Sequence, residues 1–94
     1  MITLVAKLKA KPGMEKVLAE ECVKMAKEVR ANEKECLQYI PYVSIEDPTE
    51  IVFVEIYVDM EALEFHRKTS HMKALRQAIG DALAGPTEVQ MFQE

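Results

Sequence analysis

The sequence predicts one α+β domain of the ferredoxin-like kind, an antiparallel four-stranded sheet with its helices on one face. Three observations predict it. The chain of 94 residues suits a single domain. Four segments show strand character and two show steps of three or four. Their order, βαββαβ, is that of the split βαβ unit.

The first strand is residues 2–9. Ile2, Leu4, Ala6 and Leu8 share one face; Thr3, Val5, Lys7 and Lys9 share the other. Lys11-Pro12-Gly13 then breaks the chain. A helix is expected from about Met14 to Ala31, with Met14, Leu18, Cys22 (or Glu21), Met25 and Val29 as its apolar stripe. Glu33 to Glu35 is a polar connector. Leu37 to Ser44 is a second strand, and Pro41 makes it an edge strand or a bulged one. After the turn Glu46-Asp47-Pro48-Thr49, residues 50–58 form the third strand, an antiparallel hairpin partner of the second.

Asp59 suits a helix N-cap, and a helix from Met60 to about Lys68 follows. Thr69-Ser70 interrupts it. Ser70 is expected to cap a further segment, His71 to about Ala84, with Met72, Leu75, Ala78 (or Ile79), Ala82 and Leu83 inward. Gly85-Pro86 stops that segment. Thr87 to Gln93 is the last strand, with Val89 and Met91 on one face.

On the third strand, Val52, Val54, Ile56 and Val58 form a wholly apolar face that is expected to meet the helices. Ile51, Phe53, Glu55 and Tyr57 form the other. That second face holds too much apolar surface for water, so a homodimer packed across it is expected.

The net charge of −4 argues against nucleic-acid binding, which favours a basic face. No apolar run approaches the roughly 20 residues that span a bilayer, and Met1 to Lys7 reads as a strand rather than a signal peptide. A cytoplasmic protein with no membrane partner is the expectation. Cys22 and Cys36 lack a CxxC spacing and are expected as free thiols. The six methionines read as adaptable core filler.

Glu55 stands mid-strand among Val, Ile and Phe. There it must pair with a base across an interface or serve as a pocket acid or base with a raised pKa. His66 and His71 are five apart, about 140° around an unbroken helix at roughly 100° per residue. No third ligand is evident nearby, although Glu61 and Glu64 exist, so no metal is expected. Either histidine can be a cap, a surface group or a general base. Tyr39, Tyr42 and Tyr57 are expected to pack in the sheet. With three glycines and no phosphate-cradling loop, no nucleotide cofactor is expected.

The stretch from Phe53 to Lys73 resembles the antibiotic biosynthesis monooxygenase family. That family's pattern is a strand ending in Glu-x-aromatic, an Asp or Ser cap, then His-x(2)-Thr-x-His. Glu55, Tyr57, Asp59, His66, Thr69 and His71 match it, as do Pro12-Gly13 before the long helix and Gly85-Pro86 before the last strand. The resemblance implies a dimeric α+β barrel. It also implies cofactor-independent oxidation of a phenolic or quinol-like substrate by O2, or isomerisation of a small phosphorylated carbonyl compound related to autoinducer-2. Both begin with proton abstraction; a non-catalytic, ligand-binding dimeric domain on the same fold is the further alternative. By this resemblance His66, His71 and Glu55 are the catalytic candidates, and Tyr57, Phe53, Phe65 and Tyr39 the substrate contacts. Haem degradation is not implied: the chain has no Trp, and its one Asn, Asn32, lies after the first helix.

Overall fold

The computed structural model describes residues 1–94. The elements run β1 (Ile2–Lys9), α1 (Glu15–Asn32), β2 (Cys36–Val43), β3 (Glu50–Tyr57), α2 (Met60–Arg67), α3 (Ser70–Ile79) and β4 (Glu88–Gln93), with a 3-10 turn at Gly80–Ala82. All strand pairs are antiparallel and the sheet order is β2-β3-β1-β4. This is the expected ferredoxin-like α+β architecture, with the second helical region split in two.

Local chemistry explains the punctuation. Met14 N–H donates to the Lys11 carbonyl at 2.9 Å, and Gly13 has φ 86°, so Pro12-Gly13 occupies the centre of a type II turn. The stripe of α1 is buried through Leu18, Cys22, Met25, Ala26 and Val29. Pro41 is tolerated because β2 is an edge strand, and a register shift lies between Cys36 and Gln38.

Three expectations are corrected. The cap of α3 is Thr69, whose hydroxyl accepts from Met72 N–H; Ser70 is already helical. The helix ends at Ile79 rather than near Ala84, because the chain tightens into a 3-10 turn and Leu83 then pairs with Ala10. Ala78 is consequently exposed while Ile79 is buried.

The third correction concerns the faces of β3. Ile51, Phe53, Glu55 and Tyr57 lie under the helices, and Val52, Val54 and Ile56 face outward. Register decides this. Leu8, Ala6, Leu4 and Ile2 stand opposite Ile51, Phe53, Glu55 and Tyr57, and directly opposed residues share a face. The apolar face of β1 therefore draws the Glu55 face of β3 into the core. The outward face carries Val5, Ile40, Val52, Val54, Ile56 and the exposed Tyr42 and Phe92, so this face, and not the Glu55 face expected at a dimer seam, is the apolar surface without a cover. No helix is long and apolar enough to cross a membrane.

Candidate active site

A short helical break builds the site. Asp59 caps α2 by accepting from Ala62 N–H at 2.9 Å. At the other end Thr69 does two jobs. Its hydroxyl donates to the His66 carbonyl at 2.8 Å and accepts from Met72 N–H at 3.2 Å. One side chain thus ties off α2 and starts α3. The change of helix axis brings His71 round toward His66, which a continuous helix would not do. This gives the His-x(2)-Thr-x-His spacing a physical reason.

Both imidazoles meet the same carboxylate. His66 Nδ1 lies 3.0 Å and His71 Nε2 2.5 Å from Glu33 Oε2. Glu33 follows the last turn of α1, where its backbone N–H still bonds to the Val29 carbonyl. It is only 5% exposed, and His66 3%. A carboxylate oxygen accepts, so each ring nitrogen facing it carries the hydrogen. His66 is therefore held with Nε2 as its free acceptor. Tyr39 and Tyr57 stack obliquely on the ring at centroid distances of 5.2 and 5.5 Å and fix its plane.

His66 lines a cavity of about 400 Å³ between the sheet and α2–α3, the size of a small-molecule site. Most of the lining is apolar, including Leu4, Phe53, Leu63, Met72, Leu75 and Ile79. The polar contributors are Tyr39, Glu55, His66, Arg67, Arg76 and Thr87. Glu55 is 4% exposed and accepts from the Tyr57 hydroxyl at 2.6 Å. Burial is the main cause that raises its carboxyl pKa to about 7; the Tyr57 hydrogen bond only partly offsets it. Burial likewise pushes the His66 pKa down, against the opposing pull of Glu33, while the nearby charges of His71 and Arg76 push it down further. Burial thus favours the neutral form of both groups, an uncharged imidazole and a protonated carboxyl lining one cavity.

The structure brings His66, Glu55, Phe53 and Tyr39 to one cavity. Tyr57 is wholly buried and reaches that cavity only through Glu55. His71 lies behind Glu33, on the outer side, beside Thr69 and Ala74. Phe65 is corrected: it is 60% exposed and faces outer grooves with Asn32, because the α2 positions facing the sheet are Ala62, Leu63 and His66. Glu33 was outside the expected set. It also supplies the third donor that the two histidines lacked in sequence: the three ligating atoms lie within 4.8 Å of one another. By donor type such a trio suits zinc. As arranged, it closes on itself through two hydrogen bonds.

Cys22 and Cys36 are free, and burial pushes both thiols up to about 12, so neither is a ready nucleophile. Burial also raises the Tyr39 and Tyr57 hydroxyls, which stay protonated.

The elevated pKa of Glu55 has a measurable cost. The native state binds a proton that the unfolded state releases between its ordinary value of 4.5 and about 7. The stability contributed is full below 4.5 and is lost as pH rises through 7. We expect the wild type to lose on the order of 3 kcal/mol relative to Glu55→Gln between pH 4.5 and 8. Urea unfolding of both proteins at several pH values measures it; a constant difference contradicts it.

The chain's residues 1–78 match the family model for antibiotic biosynthesis monooxygenase. No curated protein matches the chain. Among solved structures, a Caulobacter crescentus protein whose name places it in the same family is 31% identical, with a TM-score of 0.92 over 97% of this chain and 86% of that one. A Mycobacterium tuberculosis protein is 26% identical, with a TM-score of 0.90 over 99% and 91%. A Pseudomonas aeruginosa protein is also 26% identical, with a TM-score of 0.91 over 99% and 92%. With the motif, the fold and the family model in agreement, the chain belongs to the antibiotic biosynthesis monooxygenase family.

Proposed function

We propose that the protein is a monooxygenase that takes a small phenolic or quinol-like substrate into the cavity beneath α2 and α3 and oxidises it with O2, without a bound cofactor. The observation that carries this reading is His66 itself, its Nδ1 held by Glu33 and its ring lining an apolar cavity, where burial lowers its pKa and favours the neutral form. Such an imidazole suits a general base at neutral pH.

Nε2 takes the hydroxyl proton of the substrate, leaving an electron-rich phenolate in a low-dielectric space. The anion passes electrons to O2, and a new C–O bond forms at a ring carbon conjugated to the oxygen. The imidazolium returns its proton to the peroxide. Loss of that ring carbon's hydrogen with the outer oxygen gives a quinone and water. One oxygen atom ends in the product and one in water. Glu55, when protonated, donates a hydrogen bond toward the substrate or the peroxide.

The proposed partner is a second copy of the chain. The Val5, Ile40, Val52, Val54 and Ile56 face suits a two-fold, self-complementary interface. Light scattering at micromolar concentration should give twice the chain mass; the mass of one chain contradicts it.

An oxygen electrode tests the chemistry. With a panel of hydroxynaphthalenes and quinols we expect one O2 consumed per quinone formed, unchanged by catalase. No enzyme-dependent uptake across the panel, or stoichiometric release of peroxide, contradicts the proposal.

A further inference from the structure

The cavity has a charged end that proton abstraction does not use. Arg67, the last residue of α2, and Arg76, within α3, both line it among apolar side chains. Arg67 is partly engaged: one amino group donates to Glu64 Oε1 at 2.7 Å, and the other reaches Met91 Sδ on β4 at 3.7 Å. Arg76 donates one hydrogen bond, to the Arg67 carbonyl at 3.2 Å, and forms no ion pair. That bond ties the Arg76 side chain to the backbone at the end of α2, across the gap between the helices. Their charges extend into the reacting region. Arg76 acts on His66, and Arg67 acts on Glu55.

The acids around this end are Glu64, already paired with Arg67, and Glu55, whose carboxyl is turned to Tyr57. Neither neutralises Arg76. The chain as a whole carries −4, so its overall field repels anions. Two guanidiniums lining one greasy cavity are therefore a local feature. Arg67 is half-exposed and Arg76 exposed, so both stand at the rim of the cavity, where a planar guanidinium with free N–H groups matches an oxyanion.

We infer that Arg67 and Arg76 form an anion clamp, so that the substrate is an aromatic hydroxyl compound bearing a carboxylate or phosphate. This rests on the phenolic reading of the cavity and narrows it. Arg76 is the main anchor. Arg67 assists, with Glu64 holding it in place. The clamp also favours the phenolate over the neutral phenol, because positive charge near the ring stabilises the developing anion.

Fluorescence titration of three probes tests this: 2-naphthol, 3-hydroxy-2-naphthoate and 2-naphthyl phosphate, at pH 7 and low salt. For the wild type we expect at least one anionic probe to bind about tenfold tighter than the naphthol, as one charge-assisted contact allows. Which probe gains identifies the oxyanion. The preference should shrink as salt is raised. Arg76→Gln should remove most of it, and Arg67→Gln part of it, read in each variant as the ratio of anionic-probe to naphthol affinity. Equal binding of all three probes by the wild type overturns the clamp, as does a preference that survives both substitutions. An anion preference without oxygen uptake supports the clamp while the oxygenase reading fails. Failure of every probe to bind overturns both.

Discussion

Removing the imidazole of His66, in His66→Ala, is expected to lower kcat/KM roughly 10²- to 10⁴-fold, the usual contribution of a positioned general base. The loss should fall mainly on kcat, because the apolar lining that binds the ring of the substrate is untouched. His66 is the one imidazole that lines the cavity; His71 lies behind Glu33. His71→Ala should therefore cost much less, about tenfold or below, through looser placement of Glu33. Equal losses in the two variants contradict this division of roles. The removed ring is buried, so circular dichroism and rescue by added imidazole separate lost chemistry from lost structure.

Glu33→Ala is expected to damage both stability and activity. It strips the acceptor from His66 and His71 at once. Their N–H groups are then left in a nearly dry site, at a cost on the order of 3 kcal/mol. That is a large share of the stability of a small domain. Without the carboxylate, the His66 ring loses its fixed tautomer and orientation, and kcat/KM should fall roughly a hundredfold. Glu33→Gln keeps an acceptor of the same shape without the charge and should lie between. Urea unfolding and steady-state kinetics of both variants check this. A Glu33→Ala protein within about 0.5 kcal/mol and twofold of the wild type would mean that the network has no such role.

The element order was legible because strand and helix leave different periods in the chain, and β1 and α1 follow theirs closely. The inward face of β3 was not. Both of its faces are apolar apart from Glu55, and a carboxylate reads as the outer face until a partner is known. The Tyr57 hydroxyl is that partner. Only pairing with β1, whose polarity is one-sided, resolves the choice.

The site was legible in part. Glu55 and His66 stood out by composition and by motif spacing. Glu33 did not, because acids in a connector between a helix and a strand usually point to solvent, and its partners lie 33 and 38 residues away. One signal was present: an acid at the C-terminal end of a helix is disfavoured by the helix dipole and calls for a compensating contact. Phe65, a substrate contact by the resemblance, is carried outward by the turn of α2 and does not line the cavity.

The proposed chemistry requires a neutral His66 whose Nδ1 proton faces Glu33 and whose Nε2 is open to a ligand. Long-range ¹H–¹⁵N NMR of the imidazoles, followed with pH and with added 2-naphthol, reads this most directly. The expected result is an Nδ1–H tautomer for His66, a pKa below the ordinary 6.5, and an Nε2 resonance that moves when the naphthol binds. An Nε2–H tautomer, a pKa at or above 6.5, or a ligand that binds without moving the resonance would contradict it.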